Sequence, residues 1–248
     1  MSSPTILSTN LKQHSTEALK CHLQEILTAQ AGYSLKQRVD STDHALTTIF
    51  QELRLRNPLL QPEDQVPVML GTWTPIWTTI PYQDTLPGRI KNQSYQIFHD
   101  DGFYANIARY APGHSKLWQR ISNLLVALDL MVIQKFAVRN HQWDIQNIAI
   151  KQTLRCRTQM LTPQRADDWF TEVVARLSHQ PETQTIDRSI DKSTTKKLQT
   201  AFQAQPKFEH LYIDNDFRLV KTRRDNKQRY SYTLVTRRLQ NPSISSSH

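Results

Sequence analysis

Apolar residues near the start of the chain recur at helical spacing. Leu19, Leu23, Ile26 and Leu27 share one face behind a Ser15-Thr16-Glu17 opening, and Ser and Thr are good N-caps. Cys21 lies off that stripe, and Gly32 ends the helix. A second helix is predicted from Thr42-Asp43, with Ala45, Ile49 and Leu53 on its apolar face and Asn57-Pro58 as its stop. Residues 59–70 read as a Pro-containing loop. Beyond it the period drops from about 3.6 to about 2. In the stretch from Gly71 to Thr79, Trp73, Pro75, Trp77 and Thr79 point to one face, and Thr72, Thr74, Ile76 and Thr78 to the other. Gly71 permits a close approach where this strand begins. Pro75, lacking an N–H, requires an edge, a bulge or a corner. Taken alone, the stretch reads as an ordinary core strand.

The alternation continues. Tyr95–Phe98 and Phe103–Tyr110 flank a His99-Asp100-Asp101-Gly102 turn and predict a hairpin. From Asp129 to Val138, Leu130, Val132, Phe136 and Val138 share one face, and Met131, Ile133 and Ala137 the other. After a turn at Asn140-His141-Gln142, Trp143 to Arg157 supplies more strand. Thr162-Pro163 then starts a helix, with Ala166, Trp169, Phe170, Val173, Val174 and Leu177 as one apolar stripe. A polar segment and a weaker helix at 196–205 follow. Strands are predicted at 210–213, 217–221 and 230–238, with turns at Asp214-Asn215-Asp216 and around Asp225-Asn226. Short antiparallel strands separated by turns suit a barrel, because closure removes exposed edges. The expectation is a mainly β protein, a barrel with an N-terminal helical pair and an inserted helix. Its parts are a helical segment at 1–62, a barrel at 63–240 with an insertion at about 162–206, and a disordered tail at 241–248.

Composition narrows the picture. The chain has 248 residues, 38% of them hydrophobic, and a mean hydropathy of -0.59. No run approaches the roughly 18 apolar residues of a spanning segment. The opening Met1-Ser2-Ser3-Pro4-Thr5 is polar, with no secretory h-region. Cys21 and Cys156 stand in unrelated contexts, as neither a metal pair nor a disulfide framework. A reducing, cytoplasmic setting is expected. Net charge is +9 and the pI about 9.6, which favours an anionic partner. Lys and Arg crowd between Arg218 and Arg238 against a single acid, Asp225.

Chemistry-bearing motifs are missing from the sequence. It holds no Gly-rich phosphate loop, no His-x-x-x-His and no Cys-x-x-Cys. Asp214-x-Asp216 opens like a calcium loop and then fails. Arg218 occupies a ligand position, and Leu219 stands where the turn needs Gly. No catalytic residue, metal or resident cofactor is expected.

Four pieces in order resemble the plastid lipid-associated protein family, also called fibrillins or plastoglobulins, in its cyanobacterial form. They are the helix ending Leu53-Arg54-Leu55-Arg56-Asn57-Pro58, Gly71-Thr72-Trp73 with Trp77-Thr78-Thr79, Tyr95-Gln96-Ile97 with Asn106, and Tyr212-Ile213-Asp214-Asn215-Asp216-Phe217-Arg218-Leu219. The likeness spans residues 18 to 238. The sequence departs from the family pattern in three places. Trp77 stands where the family usually has Tyr, the segment from Val220 to Asn226 lacks the family's Gly, and 162–205 reads as an insertion. The resemblance implies a lipocalin-like barrel that carries hydrophobic isoprenoids, carotenoids or lipids and lies peripheral to the thylakoid membrane, or in the plastid of a eukaryote. It also implies a photosynthetic or isoprenoid-pathway protein as partner.

The candidate residues fall into three groups. Trp73, Trp77, Tyr95, Phe98, Tyr104, Phe136, Tyr230 and Tyr232 are expected to line an apolar lumen. A register slip of one residue would invert any strand's share, and a filled solid core would use the same residues. Gly71, Trp73 and Arg218 are expected to meet at the barrel's closed end, the guanidinium over the indole. Lys221, Arg223, Arg224, Lys227 and Arg229 are expected to face an anionic membrane surface. Two alternatives stay open. A barrel-type tetrapyrrole (bilin) lyase or chaperone would need converging acids and bases at the mouth. A nucleic-acid module would stack bases on Tyr230 and Tyr232. Alternation turns those tyrosines toward the core and disfavours nucleic acid.

Overall fold

The computed structural model describes residues 11–42, 46–80, 88–111, 126–178, 207–223 and 229–238. After a single helical turn at Leu11–Gln13 come α1 (Thr16–Ala29), α2 (Leu35–Ser41), α3 (Thr47–Leu55) and α4 (Pro62–Met69). Eight strands follow: β1 (Gly71–Thr78), β2 (Arg89–Phe98), β3 (Phe103–Tyr110), β4 (Val126–Arg139), β5 (Gln142–Cys156), β6 (Lys207–Ile213), β7 (Phe217–Arg223) and β8 (Ser231–Arg237). Between β5 and β6 lies α5 (Pro163–Ser178). All pairings are antiparallel, in the order β5-β4-β3-β2-β1-β8-β7-β6.

This is the mainly β, barrel-like fold with flanking helices that the alternation predicts. It is a curled half-barrel rather than a hydrogen-bonded cylinder. The two edges, β5 and β6, meet through side chains: the Trp143 ring lies 5.2 Å from Phe208 and 5.9 Å from His210. Closure by rings instead of a ladder leaves a seam.

The helices follow from local signals. Ser15 Oγ accepts from the Ala18 N–H at 3.2 Å and starts α1. Ser34 and Gln37 form a reciprocal capping box on α2, a helix not expected from the sequence. Thr162 Oγ1 accepts from the Arg165 N–H at 3.3 Å and starts α5. The predicted loop at 59–70 holds α4, with Pro62 in its first turn followed by Glu63 and Asp64, favourable at a helix N-terminus. The predicted boundary at 62 therefore falls at the start of α4. The helix predicted at 196–205 and the tail lie outside the described residues.

Two apolar layers cover the convex face. Leu19, Leu23, Leu27, Ile49, Phe50 and Leu53 of α1 and α3 pack on Trp77, Leu219 and Leu234. Lys20 ties α1 to the β6–β7 turn, donating to Asp214 at 2.7 Å and Asp216 at 2.9 Å. Burial lowers its pKa, but the bonds to Asp214, Asp216 and Glu17 outweigh that and raise it. On the other half, α5 buries Ala166, Trp169, Phe170, Val173 and Val174 against Tyr95, Ile97, Ile107, Met131 and Ile133. Each large apolar side chain so buried contributes roughly 1.5–3 kcal/mol.

Candidate ligand cup on the concave face

A third cluster draws Trp73, Phe98, Tyr104, Phe136, Trp143, Ile145, Ile213 and Val235 from seven of the eight strands, together with Met69 of α4. Residues from so many strands meet only on the concave side. They close one end of the half-barrel. Phe98 stacks on Tyr104 at 4.7 Å, and Phe136 meets Phe98 edge-on at 5.6 Å. Trp73 is fully buried between two guanidiniums, Arg218 at 4.8 Å and Arg237 at 4.3 Å from its ring, and donates to the Met69 carbonyl at 2.8 Å. Gly71 has φ +99, and a Cβ there would meet Arg237 Nη1 at 3.1 Å. Both facts favour glycine at that corner.

Arg218 is 1% exposed and lies between the faces of Trp73 and Phe98, the latter at 4.9 Å. Among the described residues its Nη1 has no hydrogen-bond partner. Burial pulls its pKa down to about 9, so it stays charged at neutral pH, stabilised by ring quadrupoles instead of a carboxylate. Its Nε donates to His210 Nε2 at 3.1 Å, and His210 Nδ1 lies 2.7 Å from Gln65 Oε1. This pair of contacts fixes the neutral tautomer with the proton on Nδ1. Burial, then the nearby Arg218 charge, hold the His210 pKa well below 6.5. Gln65 Oε1 also accepts from Trp143 Nε1 at 3.1 Å. One buried amide on α4 thus joins the facing edges of β5 and β6. Neither Gln65 nor His210 stands out in the sequence pattern. The available signal was the Pro62-Glu63-Asp64 helix start.

Above this floor the concave face changes character. Gln96 Nε2 donates to Asn106 Oδ1 at 3.1 Å, Asn106 Nδ2 to Gln134 Oε1 at 2.8 Å, and Gln134 Nε2 to Asn147 Oδ1 at 2.6 Å. The row crosses four strands, each member two residues from a floor residue on its own strand: Phe98, Tyr104, Phe136 and Ile145. Gln96, Asn106 and Asn147 are only half-buried, although they stand inside the curl. Higher still, Leu130 and Ile150 pack with Val132 and Tyr110. At the rim the Arg89 guanidinium donates to Ser94 Oγ at 3.1 Å. Across the curl, Thr78 and Thr233 pair their hydroxyls at 3.0 Å. The result is a cup with an aromatic floor, a belt of uncharged amides and apolar upper walls.

The structure divides the expected lumen residues. Trp73, Phe98, Tyr104 and Phe136 come together in the floor. Trp77 and Tyr232 lie instead on the convex face around Phe50, at 6.4 Å and 5.1 Å. The cause for Trp77 is a bulge between Pro75 and Trp77 that shifts the register and inverts the alternation. Tyr232 shares a face with Leu234, which packs on the helices. Tyr95 lies one residue out of phase with Phe98 and Gln96, so it points to α5, donating to the Leu161 carbonyl at 2.8 Å. Tyr230 is 46% exposed, with Lys221 Nζ 4.0 Å and the Arg223 guanidinium 4.8 Å from its ring. Arg229 is exposed beside it; Arg224 and Lys227 lie outside the described residues.

A second concavity, about 390 Å³, opens on the convex side among Arg109, Arg155, Arg165, Asp168 and Trp169. Of its lining residues, Arg109 is buried and paired with Asp129, donating to it at 2.6 and 2.8 Å. Among the described residues no cluster of three or more His, Cys, Asp or Glu could hold a metal ion, and no helix is long and apolar enough to cross a membrane. No family model matches the chain, and no curated protein matches its sequence.

Proposed function

We propose that this protein is a non-enzymatic carrier that holds a hydrophobic small molecule in the concave cup. The carrying observation is that Gln96, Asn106, Val132 and Asn147 are half-buried on an inward face whose floor is sealed. A solid core would bury them. Apolar walls with a few placed polar groups are the usual make-up of a small-molecule site. The sequence resemblance to plastid lipid-associated proteins supports isoprenoids, carotenoids or lipids as the class. Trp73 and Trp143 in the floor are built-in reporters. Titration with a carotenoid should quench Trp fluorescence saturably, and mass spectrometry of organic extracts from protein purified out of its source should identify the occupant. No saturable quenching by any isoprenoid would return the concave face to a filled core.

The exposed Arg229 and Tyr230, beside the half-buried Arg223, support a peripheral attachment to an anionic membrane. Each such cation near the surface contributes roughly 1 kcal/mol, within a Debye length of about 8–10 Å. Co-sedimentation with anionic vesicles should fall with added salt and be absent on neutral vesicles. Binding that ignores salt contradicts this attachment.

A further inference from the structure

The amide belt has a chemistry of its own. Gln96, Asn106 and Gln134 hand one hydrogen bond along the row in one direction, each donating once to the next. A primary amide has two N–H donors and a carbonyl with two lone pairs, so the row keeps donors and acceptors beyond those it spends on itself. Gln96 Oε1 accepts no hydrogen bond among the described residues and is not a sealed atom. The belt can therefore both donate to and accept from a guest. It offers no charge. Among the described residues, the concave positions at the level of the belt are the amides, Pro75 and Val220; the ionisable side chain paired with Val220, His210, is buried with both ring nitrogens bonded. Arg218 lies below, enclosed by Trp73 and Phe98, and Arg89 stands above at the rim on Ser94.

We propose that the cup selects a long apolar molecule with an uncharged hydrogen-bonding head, a carbonyl or hydroxyl, seated on Gln96, Asn106, Gln134 and Asn147. It discriminates against an ionised head of the same length. The physical reason is that an ion brought to the belt loses water and finds no counter-charge, whereas a carbonyl or hydroxyl exchanges water for an amide. This inference rests on the carrier reading above.

The test uses Nile red, a neutral dye, bound to the full chain at neutral pH. Methyl laurate, lauryl alcohol, laurate and laurylamine then compete as a matched set. The ester and alcohol should displace the dye at least about tenfold more tightly than either ion. Gln96→Leu, at the end of the row, should narrow that gap, the ester and alcohol losing more affinity than the two ions. Laurate binding as tightly as the ester would overturn the inference and move the head to Arg89. Nile red binding with no preference among the four would overturn it too, leaving the carrier reading intact. Failure of Nile red to bind would overturn the carrier reading and this inference with it.

Discussion

The two levels of the concave face differ in how they treat polar atoms. In the floor, almost every polar group is spoken for: Trp73 Nε1 by Met69, Trp143 Nε1 and His210 Nδ1 by Gln65, His210 Nε2 by Arg218. In the belt one level up, the amides bond mainly to one another, and all but the buried Gln134 stay half-buried. The floor's charges and rings are arranged for permanence. The belt is left able to exchange partners. An interior satisfied at one level and open at the next is what separates a holder of ligands from a core.

Substitutions can break this contrast. Trp73→Ala should cost about 3–5 kcal/mol, because it leaves a cavity and removes the ring between Arg218 and Arg237. A thermal melt reads it, and a wild-type melting temperature would mean that the floor is not the structural end. His210 gives the next effect. Its folded pKa lies well below the ordinary 6.5, so as pH falls below 6.5 the unfolded chain takes up a proton that the folded chain refuses. Stability should fall there by up to about 1.4 kcal/mol per pH unit until the folded pKa is reached. His210 ring resonances, assigned by comparison with His210→Gln, should stay at their neutral positions where free histidine titrates. Titration near 6.5 would show the floor to be wet. Gln96→Leu in the belt should change stability least, within about 1 kcal/mol, since it breaks one half-exposed bond. A chemical melt checks it; a loss as large as that of Trp73→Ala would make the belt part of the core.

Much of this architecture is written in short-range signals. Period-two alternation locates the β2–β3 hairpin and the two faces of β4, and Thr162-Pro163 with its stripe locates α5. Trp73 and Arg218 face each other on strands that are not neighbours, β1 and β7, yet both belong to the quoted signature stretches. The lumen was less legible. A bulge after Pro75 inverts Trp77, and a bulge is a property of the pairing, not of one strand's composition. Tyr95 follows a parity set by Gln96 and Phe98, and an aromatic on the wrong parity serves the helix interface equally well. The floor's lock, Gln65, bonds residues 78 and 145 positions away, and no local pattern marks such a partner. The amide belt has the same character: single polar residues on four strands acquire meaning only once the register aligns them.

The most direct test of a cup above a sealed floor is thiol accessibility inside the curl. Cys21 and Cys156 are exposed and free, so the background is Cys21→Ser with Cys156→Ser. In it, Val132→Cys probes the upper wall and Ile145→Cys the floor, both on the concave face of the same pair of strands. A maleimide should label the Val132→Cys protein readily, and saturating Nile red should slow that reaction by about tenfold or more, while the Ile145→Cys protein stays unlabelled in either case. Equal protection of both thiols without dye would contradict the account, since the concave face would then be one continuous core.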